Sequence, residues 1–234
     1  MTLAGNVAGI QERIFSAARR VGRSADDIVL MGVSKTFPSE AVREAYAAGI
    51  RVFGENRVQE FAEKSAGLGP LPDAAWHLIG HLQSNKAAKA AELFDAVDSV
   101  DSLRLAERLN TAAAALGKKL RVLIEINIGG ENAKAGLDPS APELDKILLA
   151  APRLHHLEIQ GLMTIPPFFE NPEDARPYFR KLREVRDATA GRQLSGVDMS
   201  VLSMGMSHDF EIAVEEGSTW VRVGKAIFGE RGKG

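Results

Sequence analysis

An almost unbroken apolar run reads Ile28-Val29-Leu30-Met31-Gly32-Val33-Ser34-Lys35-Thr36, and it ends on a lysine. Such a run predicts a parallel strand that is buried on both faces. Because side chains alternate along a strand, Lys35 lies on the same face as Met31 and Val33. Two readings stay open. Lys35 marks the point where the strand leaves into water, or it is a desolvated amine with a lowered pKa, which Schiff-base chemistry requires.

Strand-like and helix-like segments alternate along the rest of the chain. Predicted strands cover residues 28–36, 50–56, 76–81, 94–100, 121–128, 156–163, 200–204 and 219–223. Helical patterns follow them at 39–48, 57–65, 84–91, 102–116, 142–151, 173–190, 208–216 and 226–228, and an amphipathic helix at 3–21 precedes the first strand.

This alternation, over 234 residues and without a glycine-rich dinucleotide motif after the first strand, predicts an α/β fold. We expect a (β/α)8 TIM barrel with an extra N-terminal helix, built as a single domain over residues 1–234. An open doubly wound sheet is the alternative. The two differ in whether the first and last strands pair.

Composition excludes several classes of partner and chemistry. The net charge of −2, with interspersed signs, gives no reason to expect nucleic acid or an anionic membrane. The chain has no cysteine, which removes disulfides, thiolate nucleophiles and cysteine metal sites. No run approaches the roughly 20 apolar residues of a membrane span, and the polar start is not a signal peptide. We therefore predict a cytoplasmic, monomeric protein without a metal.

Barrel enzymes carry their chemistry at the C-terminal ends of the strands. In this chain those positions are polar where the preceding strand residues are apolar. They are Lys35, Asn56, His81, Asn127, Met163, Thr164, residues 203–207 and residues 222–225. We expect these residues to line one mouth, although a histidine such as His81 is also commonly a hydrogen-bonded structural residue.

Two segments at this end have the character of an anion site. Ser203-Met204-Gly205-Met206-Ser207 leads into a predicted helix whose first amides lack partners, and Val223-Gly224-Lys225 follows the last strand. Barrels frequently bind phosphate with the loops after strands seven and eight. Arg222 shares the inward face with Gly224, and it either pairs with a carboxylate such as Glu125 or faces a ligand.

Six motifs carry a resemblance to a known family. They are Val33-Ser34-Lys35-Thr36, Phe53-Gly54-Glu55-Asn56, residues 76–86 (WHLIGHLQSNK), Gly161-Leu162-Met163-Thr164, residues 202–207 (LSMGMS), and Val221-Arg222-Val223-Gly224 with Ile227-Phe228-Gly229. In this order, over about residues 5–230, the chain resembles the YggS/PROSC family of pyridoxal 5′-phosphate (PLP) homeostasis proteins.

The resemblance implies a PLP fold-type III barrel, similar to the N-terminal domain of alanine racemase, with PLP held as a Schiff base on Lys35. It implies Arg222 at the pyridine nitrogen and Ser203, Gly205, Ser207 and Gly224 around the phosphate. The predicted cofactor-binding set also contains Asn56, His81, Met163, Met206 and Lys225. Lys225 stands where this family usually has threonine or serine, so its hydroxyl contact is lost.

Three functions fit these residues. A racemase or decarboxylase needs a second acid/base group on the far face of the cofactor, and the only tyrosines, Tyr46 and Tyr178, fall on predicted helices. A Schiff-base aldolase without a cofactor also uses a barrel lysine and phosphate loops. We predict the third function, a PLP carrier in vitamin B6 homeostasis that hands its cofactor to apo PLP-dependent enzymes and has no catalytic residue. Lys134 is either a solvated loop lysine or a second, weaker aldehyde-reactive site.

Overall fold

In the computed structural model, which describes residues 2–131 and 135–230, eight strands form one closed parallel barrel. The strands are β1 Val29–Val33, β2 Val52–Glu55, β3 Ala75–Leu78, β4 Ala96–Val100, β5 Leu120–Glu125, β6 Leu157–Met163, β7 Val197–Ser203 and β8 Trp220–Val223. Strand β1 pairs with both β2 and β8, so the sheet has no free edge there. The predicted barrel is confirmed and the open sheet is wrong.

Helices cover the outside of the barrel. They are α1 Leu3–Arg20, α2 Ser39–Ala47, α3 Val58–Ser65, α4 Ala87–Leu93, α5 Leu103–Ala115, α6 Pro142–Ala150, α7 Arg176–Gly191, α8 Phe210–Glu215 and α9 Lys225–Phe228. Helix α9, which follows β8, has four residues and is too short to cover that strand. The predicted N-terminal helix α1 packs against α8 and α9 and fills this place in the outer ring. None of the helices in these ranges is long and apolar enough to span a bilayer.

Helix α1 is fixed at its start and along its buried face. The hydroxyl of Thr2 accepts a hydrogen bond from the Gly5 amide and caps the helix. The side chain of Asn6 donates to the Ile227 carbonyl at 2.9 Å, across 221 residues of sequence. The apolar face, with Val7, Ile10 and Ile14, is buried against the barrel, as the periodicity predicts.

The barrel interior is filled by two small apolar clusters. Met31, Val33 and Ile79 form one, and Leu123, Met163 and Val201 form the other; Trp220 packs against both. Residue 32 points the other way, since a Cβ on Gly32 would meet Ile50 and Phe228. The alternation predicted for β1 is therefore confirmed, and it directs the next inward position, Lys35, to the barrel mouth.

Four strand bounds differ from the prediction by three residues, one of them the end of β1, at Val33 instead of Thr36, and two of these differences have a local cause. β3 ends at Leu78 because the chain then passes so close to Asn56 that a Cβ on Gly80 would lie 2.3 Å from its carbonyl oxygen. β5 ends near Glu125 because Ile126 makes the last bond to β6 and the next amide, that of Asn127, donates to the Leu137 carbonyl instead. β7 begins at Val197, three residues before the predicted start at Ser200.

The contact between β6 and β7 depends on a glycine, which gives a test of the fold. A Cβ on Gly161 would lie 1.8 Å from the Val201 carbonyl oxygen. We expect Gly161→Ala to lower the free energy of unfolding by about 1–3 kcal/mol or more, because backbone must move. Gly9→Ala is the control: it lies in α1 with nothing within 4 Å, and it should stabilise by ~0.5–1 kcal/mol. Urea unfolding followed by circular dichroism measures both, and an unchanged midpoint for Gly161→Ala would contradict the packing described.

Candidate functional site

Lys35 and the loop after β8 line one cavity at the barrel mouth. Lys35 is half-buried in the turn that follows β1. A cavity of about 370 Å³ is bounded by Val33, Lys35, Phe37, Gly224, Lys225, Gly229 and Glu230. Strands β1 and β8 are neighbours in the barrel, so their carboxyl ends bring the predicted lysine and the predicted anion loop together.

Arg222, which lies on β8 two residues before Gly224, is buried and is held by two oxygens. Its Nη1 donates to Ser203 Oγ and its Nη2 donates to the Thr164 carbonyl, both at 2.6 Å. The guanidinium is only 3% exposed, and this burial lowers its pKa from the ordinary value. The charges of Asp98, Glu125 and Asp209 act in the opposite direction. Its side-chain bonds within the described chain thus go to β6 and β7, not to Glu125.

The loops after β7 and β8 lie against each other. Gly205 has φ +92°, and a Cβ on it would lie 2.5 Å from that of Ala213, so glycine alone fits. Its carbonyl accepts from the Arg222 amide at 3.0 Å. The Ser207 hydroxyl accepts from the Ala226 amide at 3.4 Å. Three predicted residues, Gly205, Ser207 and Gly224, are therefore brought into one corner.

Two other predicted members of this corner, Met206 and Lys225, already bond to acidic side chains of the protein. The Met206 amide donates to Asp209, a buried carboxylate whose pKa is raised by that burial. The side chain of Lys225 is exposed and forms an ion pair with Glu230 at 2.8 Å. Lys225 can therefore offer an anion its backbone amide, while its ammonium lies toward solvent.

The remaining predicted residues lie elsewhere. The side chain of His81 is 55% exposed and its Nδ1 lies 3.1 Å from Asp101 Oδ2. His81 and Asn56 border a separate small cavity of about 100 Å³ between the ends of β2 and β3. Met163 is buried inside the barrel. Lys134 lies outside the described residues.

Glu125 enters the sequence prediction only as a possible partner of Arg222 and not as a residue of the mouth. Its side chain is on the inward face of β5, 5% exposed, and its Oε2 has no hydrogen-bond partner in the described chain. Burial and the charge of Asp101 raise its pKa to about 7, against the opposing charge of Arg222. The alternation of β5 contains this information, but the predicted strand ran three residues too far.

A second buried pair lies deeper in the barrel. His77 Nδ1 is 3.0 Å and 3.1 Å from the two carboxylate oxygens of Asp98, and its Nε2 has no partner among the described residues. The His77 ring also packs edge-on against Trp220. This pair supports the interior below Arg222 and reaches neither Lys35 nor the two loops through any described contact.

The cavity at the mouth is smaller than another cavity of the protein. A larger cavity, about 620 Å³, lies under α1 at the amino-terminal ends of β1 and β2. None of the residues predicted to bind a ligand borders it. In residues 2–131 and 135–230, no group of three histidine or acidic side chains has the spacing of a metal site. The mouth is the candidate because its chemistry converges there.

Comparisons with known proteins show the family to which the chain belongs. The family model described as "Alanine racemase, N-terminal domain" matches residues 10–232. The pyridoxal phosphate homeostasis protein of Aquifex aeolicus is 46% identical over 99% of both chains, and that of Escherichia coli K12 is 44% identical over 98% of this chain and 97% of its own.

Solved structures show the same fold. PipY of Synechococcus elongatus with PLP bound is 40% identical, covers 97% of this chain and 100% of its own, and has a TM-score of 0.85. Alanine racemase of Clostridium difficile has a TM-score of 0.72 but 18% identity, over 97% of this chain and 56% of that one. The second likeness concerns the fold alone.

The raised pKa of Glu125 predicts a pH-dependent stability. The native state binds this proton more tightly than the unfolded chain, so the free energy of unfolding falls as pH rises from about 4.5 to about 7. Glu125→Gln removes this fall. Between pH 5 and pH 8 we expect the variant to gain about 2–3 kcal/mol relative to the native chain. Urea unfolding at both pH values measures it, with the exposed Glu63→Gln as control; equal pH dependence in all three proteins would contradict the assignment.

Proposed function

Because the chain belongs to the family of the alanine racemase N-terminal domain and the pyridoxal phosphate homeostasis proteins, we propose that it binds PLP at the barrel mouth and serves in vitamin B6 homeostasis. The observation that carries the proposal is that Lys35 and Gly224 border one cavity at the ends of the neighbouring strands β1 and β8, while the buried Arg222 and the loop after β7 are bonded to the same end of β8. The PLP bound in the structure of PipY, a relative of similar length, supports it.

The residues present fit this cofactor. Lys35 would offer an amine to the aldehyde in the cavity that Gly224 also borders. We assign the phosphate to the corner where the loops after β7 and β8 meet, which contains Gly205, Ser207 and Gly224 and is joined by the bond from the Ala226 amide to the Ser207 hydroxyl. Ser203 contributes by fixing Arg222. Asn56, His81, Met163, Met206 and Lys225 remain proposed members of the set, with the placements given above.

Arg222 controls what the site can do. PLP supplies an aldehyde that bonds to amines and, when its ring nitrogen is protonated, a sink for electrons. An arginine donates five hydrogens and accepts none, so Arg222 can only face an unprotonated ring nitrogen. The two bonds to Ser203 and Thr164 use one donor on each terminal nitrogen. The arrangement would hold the cofactor and would make it a weaker electron sink.

We favour a carrier over an enzyme. Removing an α-proton on the far face needs a second acid/base group. The two tyrosines of the sequence are elsewhere, Tyr46 stacked on Arg51 and Tyr178 beside Phe169. Weak racemase-type turnover is the alternative, and the family assignment argues against a cofactor-free aldolase. Apo PLP-dependent enzymes are the proposed recipients. The single domain, cytoplasmic location and monomeric state stay predictions from the sequence.

Replacement of Lys35 tests the covalent site. We expect Lys35→Ala to abolish borohydride-fixed PLP while the fold is retained, because the amine at the cavity wall is gone. Mass spectrometry of reduced peptides measures the label, and the exposed Lys119→Ala is the control. Label that persists at full occupancy in Lys35→Ala would overturn the assignment. Label on Lys134 with excess PLP would establish the second reactive lysine, and its absence would remove that idea.

Turnover separates the carrier from the enzyme. For the PLP-loaded protein we expect only trace racemisation of alanine, because neither tyrosine of the chain lies at the mouth and the electron sink is weak. We also expect transfer of PLP to an added apoenzyme. Deuterium incorporation at the α-carbon and recovered apoenzyme activity, measured on one sample, test both statements. Racemisation at roughly 1–1,000 per second, the range of ordinary enzymes, would replace the carrier with the racemase reading.

A further inference from the structure

The turn that presents Lys35 contains an unfavourable backbone conformation. Thr36 has φ +66°, in the left-handed region, and is one of two non-glycine residues with positive φ in the described chain. A β-branched residue adopts this region rarely. Such strain persists only where the surroundings hold it, and it concentrates at functional sites. The residues that contact this turn therefore stabilise a strained backbone conformation as well as packing against it.

One side of the turn is held by a buried charge network. The Ser34 hydroxyl donates to Glu55 Oε1 at 2.7 Å. The ammonium of Lys64, on α3, donates to the same oxygen at 2.7 Å and to the Ser34 carbonyl at 2.8 Å. Ser34 and Glu55 are inaccessible to solvent and the Lys64 side chain is 8% exposed. The peptide unit just before Lys35 is thus fixed by a charge-assisted hydrogen bond.

The other side is held by the same helix. Glu60 Oε1 accepts a hydrogen bond from the Thr36 amide at 2.5 Å and lies 3.6 Å from the Lys64 ammonium. Glu60 and Lys64 are four residues apart, so both side chains project from one face of α3. Helix α3 therefore binds the backbone on both sides of Lys35, at the Ser34 carbonyl before it and the Thr36 amide after it. We call these two hydrogen bonds the grip of α3 on the turn.

We propose that Glu60 and Lys64 are positioning residues, which hold the strained turn so that the Lys35 amine points into the mouth and captures an aldehyde. This inference rests on the proposed function for the identity of the aldehyde. In the capture, the Lys35 nitrogen forms a double bond to the aldehyde carbon, the carbon–oxygen double bond breaks, and the oxygen leaves as water with the two amine protons. A misaligned amine slows this step, because small displacements of a reacting group reduce rates strongly.

The network is separate from the proposed phosphate corner, and this separation makes a test possible. Its side chains come from β2, α3 and the β1 turn, whereas Gly205, Ser207 and Gly224 belong to the loops after β7 and β8. Loss of the grip should therefore affect the covalent step and leave phosphate-ester binding intact. A merely structural role would change both together.

The experiment compares covalent capture with non-covalent affinity. Stopped-flow absorbance gives the rate at which apo-protein captures PLP, and calorimetry gives the affinity for pyridoxine 5′-phosphate, which has an alcohol in place of the aldehyde. We expect Glu60→Ala to slow capture tenfold or more, with affinity for the alcohol within twofold of the native value. Glu60→Gln keeps an oxygen acceptor and should restore the rate. Glu63→Ala, exposed on the same helix, should match the native protein.

A second variant tests the strain itself. Glycine adopts φ +66° without steric cost, so Thr36→Gly combined with Glu60→Ala should recover part of the lost rate. Native capture by Glu60→Ala, a parallel loss of affinity for the alcohol, or failure of both rescues would overturn the inference. Absence of borohydride-fixed PLP on the native protein would instead refute the proposed function, so the two failures are distinguishable.

Discussion

A guanidinium buried inside a barrel must be met by fixed oxygens, and much of this mouth follows from that requirement. Arg222 reaches the Ser203 hydroxyl on β7 and the carbonyl of Thr164, just past β6, so three consecutive strands are tied at one level. Its own amide bonds to Gly205, which fixes the loop after β7. The charged group thereby shapes the corner that we assign to the phosphate.

Three acidic side chains lie near Arg222, but its described side-chain hydrogen bonds go to a hydroxyl and a carbonyl. Asp98, Glu125 and Asp209 all act on Arg222 through their charges. Asp98 is already bound to His77, and Asp209 accepts from the Met206 amide. Glu125 keeps an oxygen without a partner in the described chain and a pKa of about 7. The side-chain hydrogen bonds described for Arg222 go to Ser203 and Thr164 and to none of these carboxylates, so the arginine retains donors for a ligand.

Local pattern was enough to predict the barrel, the inward face of β1 and the positions of Lys35 and Arg222. These features depend on alternation along one strand and on the rule that parallel strands end at one mouth. The grip of α3 on the turn was not predictable, because it joins residues 24 and 30 positions apart through side-chain geometry. The place of Glu125 at the mouth was not predicted, because the predicted strand continued to residue 128, whereas the chain turns after Glu125 to bond with Leu137.

Helix α1 closes the outer ring against α8 and α9, and β1 pairs with β8, so the seam of the barrel joins segments about 200 residues apart. Contacts of such long sequence separation are slow to form, because a long loop must close before they stabilise anything. Helix α1 is made before α8 and α9, so its contacts with these two helices form only after most of the chain has been synthesised. Lys35 follows β1 and Arg222 is on β8, so the ligand site depends on the pairing of the two strands that are farthest apart in the sequence.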